Sequence, residues 1–97
     1  MECLLNQTNK IMSFSVLMSI YKAEKPSYLT MSLNSVLNQT LQASEIIIVE
    51  DGPLTTDLYA ILDEFESKNP IIRRLRLSEN HGLGYALCEG LKYCRYE

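Results

Sequence analysis

Apolar positions in this chain alternate between short continuous runs and helical stripes. Residues 46–49 read Ile-Ile-Ile-Val with no polar interruption. A strand with one wet face would alternate, so this run predicts a strand buried on both faces, as in a parallel sheet. The expected strand covers residues 45–50 and stops at Glu50, Asp51, Gly52 and Pro53. A first strand is expected over residues 14–20 (FSVLMSI) and a third over residues 71–77 (IIRRLRL). In the third, Ile72, Arg74 and Arg76 would take one face, and Arg73, Leu75 and Leu77 the other. Three arginines point to an edge strand, where charge opposes aggregation. Phosphate binding is a second reading of them.

Helical stripes separate these runs. Leu29, Leu33, Val36 and Leu37 follow Pro26, which suits a first helical turn, and the stripe runs out near Gln39 and Thr40. Leu58, Ile61, Leu62 and Phe65 mark a second helix. Thr55 or Thr56 can cap it, Asp57 suits its first turn, and Asn69-Pro70 ends it. A third helix begins around residues 82–84, with Leu83, Leu87, Leu91 and Cys94 on one side and Gly90 placed for close packing on the sheet. The order β-α-β-α-β-α, with right-handed crossovers, predicts an α/β fold with a Rossmann-like parallel sheet. All three strands then end on one rim, where ligands bind in open α/β sheets. Residues 1–12 are expected to be a mobile N-terminal extension, and residues 13–97 the domain.

Composition narrows the function. A net charge of −3 argues against a nucleic-acid partner, which calls for a basic surface. No apolar run approaches the roughly 20 residues of a membrane span, and the first residues lack the pattern of a secretory signal. The three cysteines, Cys3, Cys88 and Cys94, are an odd set without metal spacing. Six residues along a helix rise about 9 Å, too far for a disulfide. Cys88 and Cys94 are therefore expected as buried or half-buried free thiols in a reducing cytoplasm.

The rim carries the candidate chemistry. Asp51 is either a ligand carboxylate or a turn-former, with Gly52 as support, and Glu50 reads as structural or solvated. Tyr21 can stack on a planar base or simply pack. Ser19 can bond a ligand or its own backbone. The stretch Asn80-His81-Gly82-Leu83-Gly84 opens the third helix, where free N–H groups and the helix dipole can receive an anion. It lacks the Gly-x-Gly-x-x-Gly dinucleotide fingerprint. His81 reads as a cap or surface residue. No Ser–His–Asp set and no zinc cluster is visible.

Four blocks in order, residues 15–21 (SVLMSIY), 32–40 (SLNSVLNQT), 45–52 (EIIIVEDG) and 80–82 (NHG), resemble family-2 glycosyltransferases of the GT-A fold. The resemblance covers residues 14–97. The turn at residues 50–54 and the run at residues 82–87 look closest to bacterial galactosyltransferases that build O-antigen or exopolysaccharide units. The resemblance implies strand order 3-2-1, as in the first half of a GT-A fold. It implies inverting transfer of a hexosyl group from a nucleotide-sugar, usually a UDP-sugar, to a glycan or lipid-linked acceptor. Ser19, Tyr21, Asp51, Asn80 and Gly82 then fall in the nucleotide-binding segments, with Asp51 at the base-binding aspartate. Lys22 and Cys88 depart from the family, which usually has Asn at both places.

In the family, an Asp-x-Asp strand holding a divalent metal (Mg or Mn) follows, and the catalytic base lies further on. The resemblance thus implies no catalytic residue and no metal ligand within this chain. It is expected to be the donor-binding part of a larger enzyme, inactive alone, cytoplasmic or peripheral at the inner face of the membrane. Strand one would lack its outer neighbour, so homo-oligomers through that strand or the sheet face are expected. The alternative is a non-catalytic α/β interaction or regulatory module. A receiver-like domain would need an acidic pair after strand one, where Lys22, Ala23 and Glu24 stand.

Overall fold

The computed structural model describes residues 13–39 and 42–95. The expectation for residues 1–12, and the position of Cys3, lie outside the described residues. Six elements alternate: β1 (Ser15–Ile20), α1 (Pro26–Leu37), β2 (Glu45–Glu50), α2 (Thr56–Lys68), β3 (Ile72–Arg76) and α3 (Leu83–Leu91). The strands form one parallel sheet in the order β1-β2-β3, which is the expected 3-2-1 viewed from the other edge. Ser15 pairs with Glu45 at one end of the sheet; at the other, Ile20 pairs with Glu50, and Glu50 in turn with Arg76.

The apolar run at residues 46–49 forms the centre. Its four side chains are each at most 1% exposed. Ile46 and Ile48 join Leu29 and Leu33 of α1, Leu58 and Leu62 of α2, and Ile72. Ile47 and Val49 face the other way, toward Ala86, with Leu17, Leu75 and Leu77 alongside. The continuous hydrophobicity follows from burial on both faces. Thr55 is the cap of α2, and its Oγ1 accepts from the Leu58 N–H at 3.3 Å. Such a cap satisfies one of the donors that a helix start leaves open.

Helix α3 differs from the stripe in its sequence. Leu83 and Leu91 are 63% and 62% exposed, while Ala86 and Gly90 are the buried contacts. Small residues let the helix come close to the sheet. A Cβ at Gly90 would lie 2.7 Å from Val49 Cγ2 and would collide with Leu17 as well. The expected close packing at Gly90 is therefore present, but Leu83 and Leu91 face away from it, and Leu87 is half-buried. Cys88 corrects a further expectation, because it sits on the exposed side; Cys94 is half-buried, and both thiols are free.

The acids at the two ends of β2 are buried, each 1% exposed, and arginines of β3 meet both. Glu50 accepts from Arg74 Nε at 2.5 Å, and Arg74 also donates to Asp63 and Glu66 of α2. Arg76 lies 3.3 Å from the other Glu50 oxygen. Glu50 is thus structural, and it is buried rather than solvated. On the opposite face Glu45 accepts from Ser15 Oγ, Arg73, and the backbone and side chain of Arg95. Burial alone would raise the Glu45 pKa, but these hydrogen bonds outweigh it and hold the group down at about 2. The arginines at the β3 edge thus lock helix and strand together, and Arg73, Arg74 and Arg76 are all engaged by carboxylates.

Candidate functional site

The rim at the C-terminal ends of the strands carries a cavity of about 330 Å³. Ser19, Tyr21, Glu24, Asp51, Asn80, Gly82 and Leu83 line it. The five residues nominated from sequence as nucleotide-binding (Ser19, Tyr21, Asp51, Asn80 and Gly82) all stand in this lining. They come from three separate strand exits, so only the parallel topology brings them together. The volume is at the lower end of the range for small-molecule pockets, about 300–1,000 Å³. A larger cavity, about 700 Å³, opens between the C-terminal ends of α1 and α2, at the opposite pole. Its position below the sheet, away from every strand exit, separates it from the nominated residues.

Asp51 organises the rim. Its carboxylate is 4% exposed and accepts from the His81 N–H at 2.8 Å and the Gly82 N–H at 3.0 Å. These N–H groups stand at the start of α3, where a negative charge is favoured by the helix dipole. The carboxylate of the chain itself thus holds part of the anion seat read from residues 80–84. Asn80 Oδ1 also accepts from the Gly82 N–H, at 3.1 Å. The N–H groups of Leu83, Gly84 and Tyr85, the first three helical residues, have no acceptor within the helix.

Gly52 makes this clasp possible. Its φ is +88°, a left-handed conformation that favours glycine. A Cβ there would stand 2.7 Å from the Asn80 backbone nitrogen. The loop after β3 therefore lies directly against the turn after β2. Gly82, with φ +95°, caps α3, and a Cβ on Gly84 would meet nothing within 4 Å.

Tyr21 is half-exposed at the mouth, and its carbonyl accepts from the Glu24 N–H at 2.9 Å. That turn brings Glu24 back to the cavity, a position that sequence reasoning passed over except to exclude a receiver-like domain. Leu83 was read as part of a helical stripe and of the stretch that opens the third helix, but was not singled out as a site residue. The signal for both was their place within a few residues of a strand exit. His81 stacks on Tyr85 with ring centroids 4.4 Å apart, outside the cavity lining. Among the described residues, no group of three or more His, Cys, Asp or Glu side chains is placed to hold a metal ion. Among them, no helix is long and apolar enough to cross a membrane.

Comparison with known proteins bears on this geometry. The chain is 48% identical over 86 residues to a protein of Haemophilus influenzae named an uncharacterized glycosyltransferase, covering 89% of this chain and 32% of that protein. It is 42% identical over 83 residues to the amylovoran biosynthesis glycosyltransferase AmsE of Erwinia amylovora, covering 86% and 31%. It is 37% identical over 84 residues to the UDP-Gal:alpha-D-GlcNAc-diphosphoundecaprenol beta-1,3-galactosyltransferase of Escherichia coli, covering 87% and 30%. The chain spans about a third of the length of these relatives. The family model of glycosyl transferase family 2 matches residues 15–97, which include all six elements of the sheet-and-helix unit, and the chain belongs to that family.

Proposed function

We propose that this chain forms the donor-nucleotide site of a glycosyltransferase that uses a nucleotide-sugar, with a UDP-sugar as the preferred class. The observation that carries the reading is the convergence of Ser19, Tyr21, Asp51, Asn80 and Gly82 on one cavity at the strand ends. Tyr21 offers a ring face for a base, and base–aromatic stacking contributes about 1–3 kcal/mol. Ser19 and Asn80 offer hydrogen-bonding groups. Asp51 holds the loop wall, and its oxygens keep further lone pairs for a ligand at the base-binding position that the resemblance implies. The open N–H groups at the start of α3 suit an anion such as diphosphate.

The name of the E. coli relative, with UDP-Gal and a diphosphoundecaprenol acceptor, supports a UDP-hexose donor and a lipid-linked or glycan acceptor in surface polysaccharide synthesis. Such a role belongs in the cytoplasm or at the inner face of the membrane. In an inverting transfer, the acceptor hydroxyl oxygen bonds to the anomeric carbon as the carbon–oxygen bond to diphosphate breaks. The diphosphate leaves with the electron pair, and the hydroxyl proton goes to a base. No residue of this chain is assigned as that base, so we propose donor binding rather than turnover for it alone. A divalent metal would, on this reading, be held by residues other than those described. Association of copies through the open edge of β1 belongs to the same reading.

Calorimetry with UDP tests the donor site. The wild-type chain is expected to bind weakly, and Asp51→Ala to lose binding. Equal binding by the variant would remove Asp51 from the site, and no binding by the wild type would remove the site itself.

A further inference from the structure

The cavity has two carboxylates with opposite surroundings. Asp51 is almost fully buried and occupied by two backbone N–H groups. Glu24 is half-buried, lines the same cavity, and its side chain makes no hydrogen bond or ion pair with any described residue. Its backbone is pinned, since its N–H donates to the Tyr21 carbonyl at 2.9 Å. A tight turn thus brings Glu24, whose side chain has no partner among the described residues, into the same cavity lining as Tyr21.

We infer that Glu24 is a specificity-determining residue that accepts a hydrogen bond from a neutral O–H or N–H donor on the nucleoside part of the bound ligand. This rests on the donor-site reading above. A carboxylate is acceptor-only, so it selects for a donor on the ligand. It would repel a diphosphate at close range, which directs the anionic part of the ligand away from Glu24, toward the N–H groups that open α3. The nucleoside then lies along Tyr21 and Glu24, and the phosphates along the start of α3. The acceptable donors are a ribose hydroxyl or a base N–H, which share this chemistry.

The test uses the whole 97-residue chain with Glu24→Ala and Glu24→Gln, titrated by calorimetry with UDP, uridine and 2′-deoxy-UDP. Neither variant removes a side-chain hydrogen bond or ion pair to a described residue, so both are expected to keep the wild-type circular dichroism and melting temperature. Loss of a charge-assisted hydrogen bond predicts roughly tenfold or greater weakening of UDP by Glu24→Ala, with Glu24→Gln between. Uridine should weaken by the same factor, because the contact is to the nucleoside. A wild-type preference for UDP over 2′-deoxy-UDP that disappears in Glu24→Ala assigns the contact to the ribose 2′-hydroxyl. Equal weakening for both nucleotides assigns it to another ribose hydroxyl or to the base. Unchanged UDP affinity in both variants overturns the inference and leaves the donor site standing. Tighter UDP binding by the variants overturns it as well, since the carboxylate would then face phosphate. A wild-type chain that binds neither UDP nor uridine overturns the donor-site reading, and this inference with it.

Discussion

Substituting Gly52 by Ala tests whether the turn after β2 and the loop after β3 form one rigid wall. The φ of +88° disfavours any residue with a Cβ, by about 1–2 kcal/mol. The added methyl would also lie 2.7 Å from Asn80 N, 3.1 Å from Glu79 C and 3.2 Å from Asn80 Cα. All three are backbone atoms, so no side-chain rotation relieves the contact. Overpacking of this kind costs about 1–3 kcal/mol. The two effects together give about 2–5 kcal/mol, a large share of the roughly 5–15 kcal/mol that stabilises a typical domain. Relief requires the loop to retreat, which also strips Asp51 of the His81 and Gly82 N–H groups. Urea unfolding followed by circular dichroism measures the loss, and thermal melting should fall by at least about 8 °C. Gly84→Ala is the control. Its Cβ meets nothing within 4 Å, so a gain of up to about 1 kcal/mol or no change is expected. Equal stability of the two variants would refute the reasoning.

Acid unfolding should expose Glu45. Its folded-state pKa, about 2, lies below the ordinary 4.5, so its contribution is complete above about pH 4.5 and is lost as the pH falls toward 2. The size is on the order of 3 kcal/mol. Glu45→Gln should lower stability at pH 7 and flatten the decline between pH 4.5 and 2; an unchanged acid slope in the variant would count against the network. Self-association is a separate expectation. β1 stands at one edge of the sheet with Val16, Leu17 and Met18, whereas β3 closes the other with arginines. Light scattering should give a mass that grows with concentration, and a monodisperse monomer at high concentration would sink the idea.

The element order was legible in the sequence because each period has a direct physical cause. The uninterrupted run at residues 46–49 can be satisfied only by burial on both faces, and the stripes around Leu29–Leu33 and Leu58–Leu62 only by helices lying on a sheet. The parallel order then puts residues 19–21, 50–52 and 80–82 on one rim. Gly90 was legible too, because a glycine within a helix signals close approach. Partnership was not legible. Nothing in a carboxylate's own neighbours along the chain says that Asp51 accepts from His81 and Gly82, thirty residues away, or that Glu50 takes Arg74. The apolar side of α3 misled for a related reason. Hydrophobicity marks what can be buried, but the closeness allowed by Ala86 and Gly90 decided which face met the sheet, leaving Leu83 and Leu91 exposed. The sequence by itself determined the periodicities, and with them the elements and the end of the sheet where a site belongs. Only the tertiary structure decided which side chains are occupied and which remain open, because hydrogen bonds and close packing are set by distances across the fold.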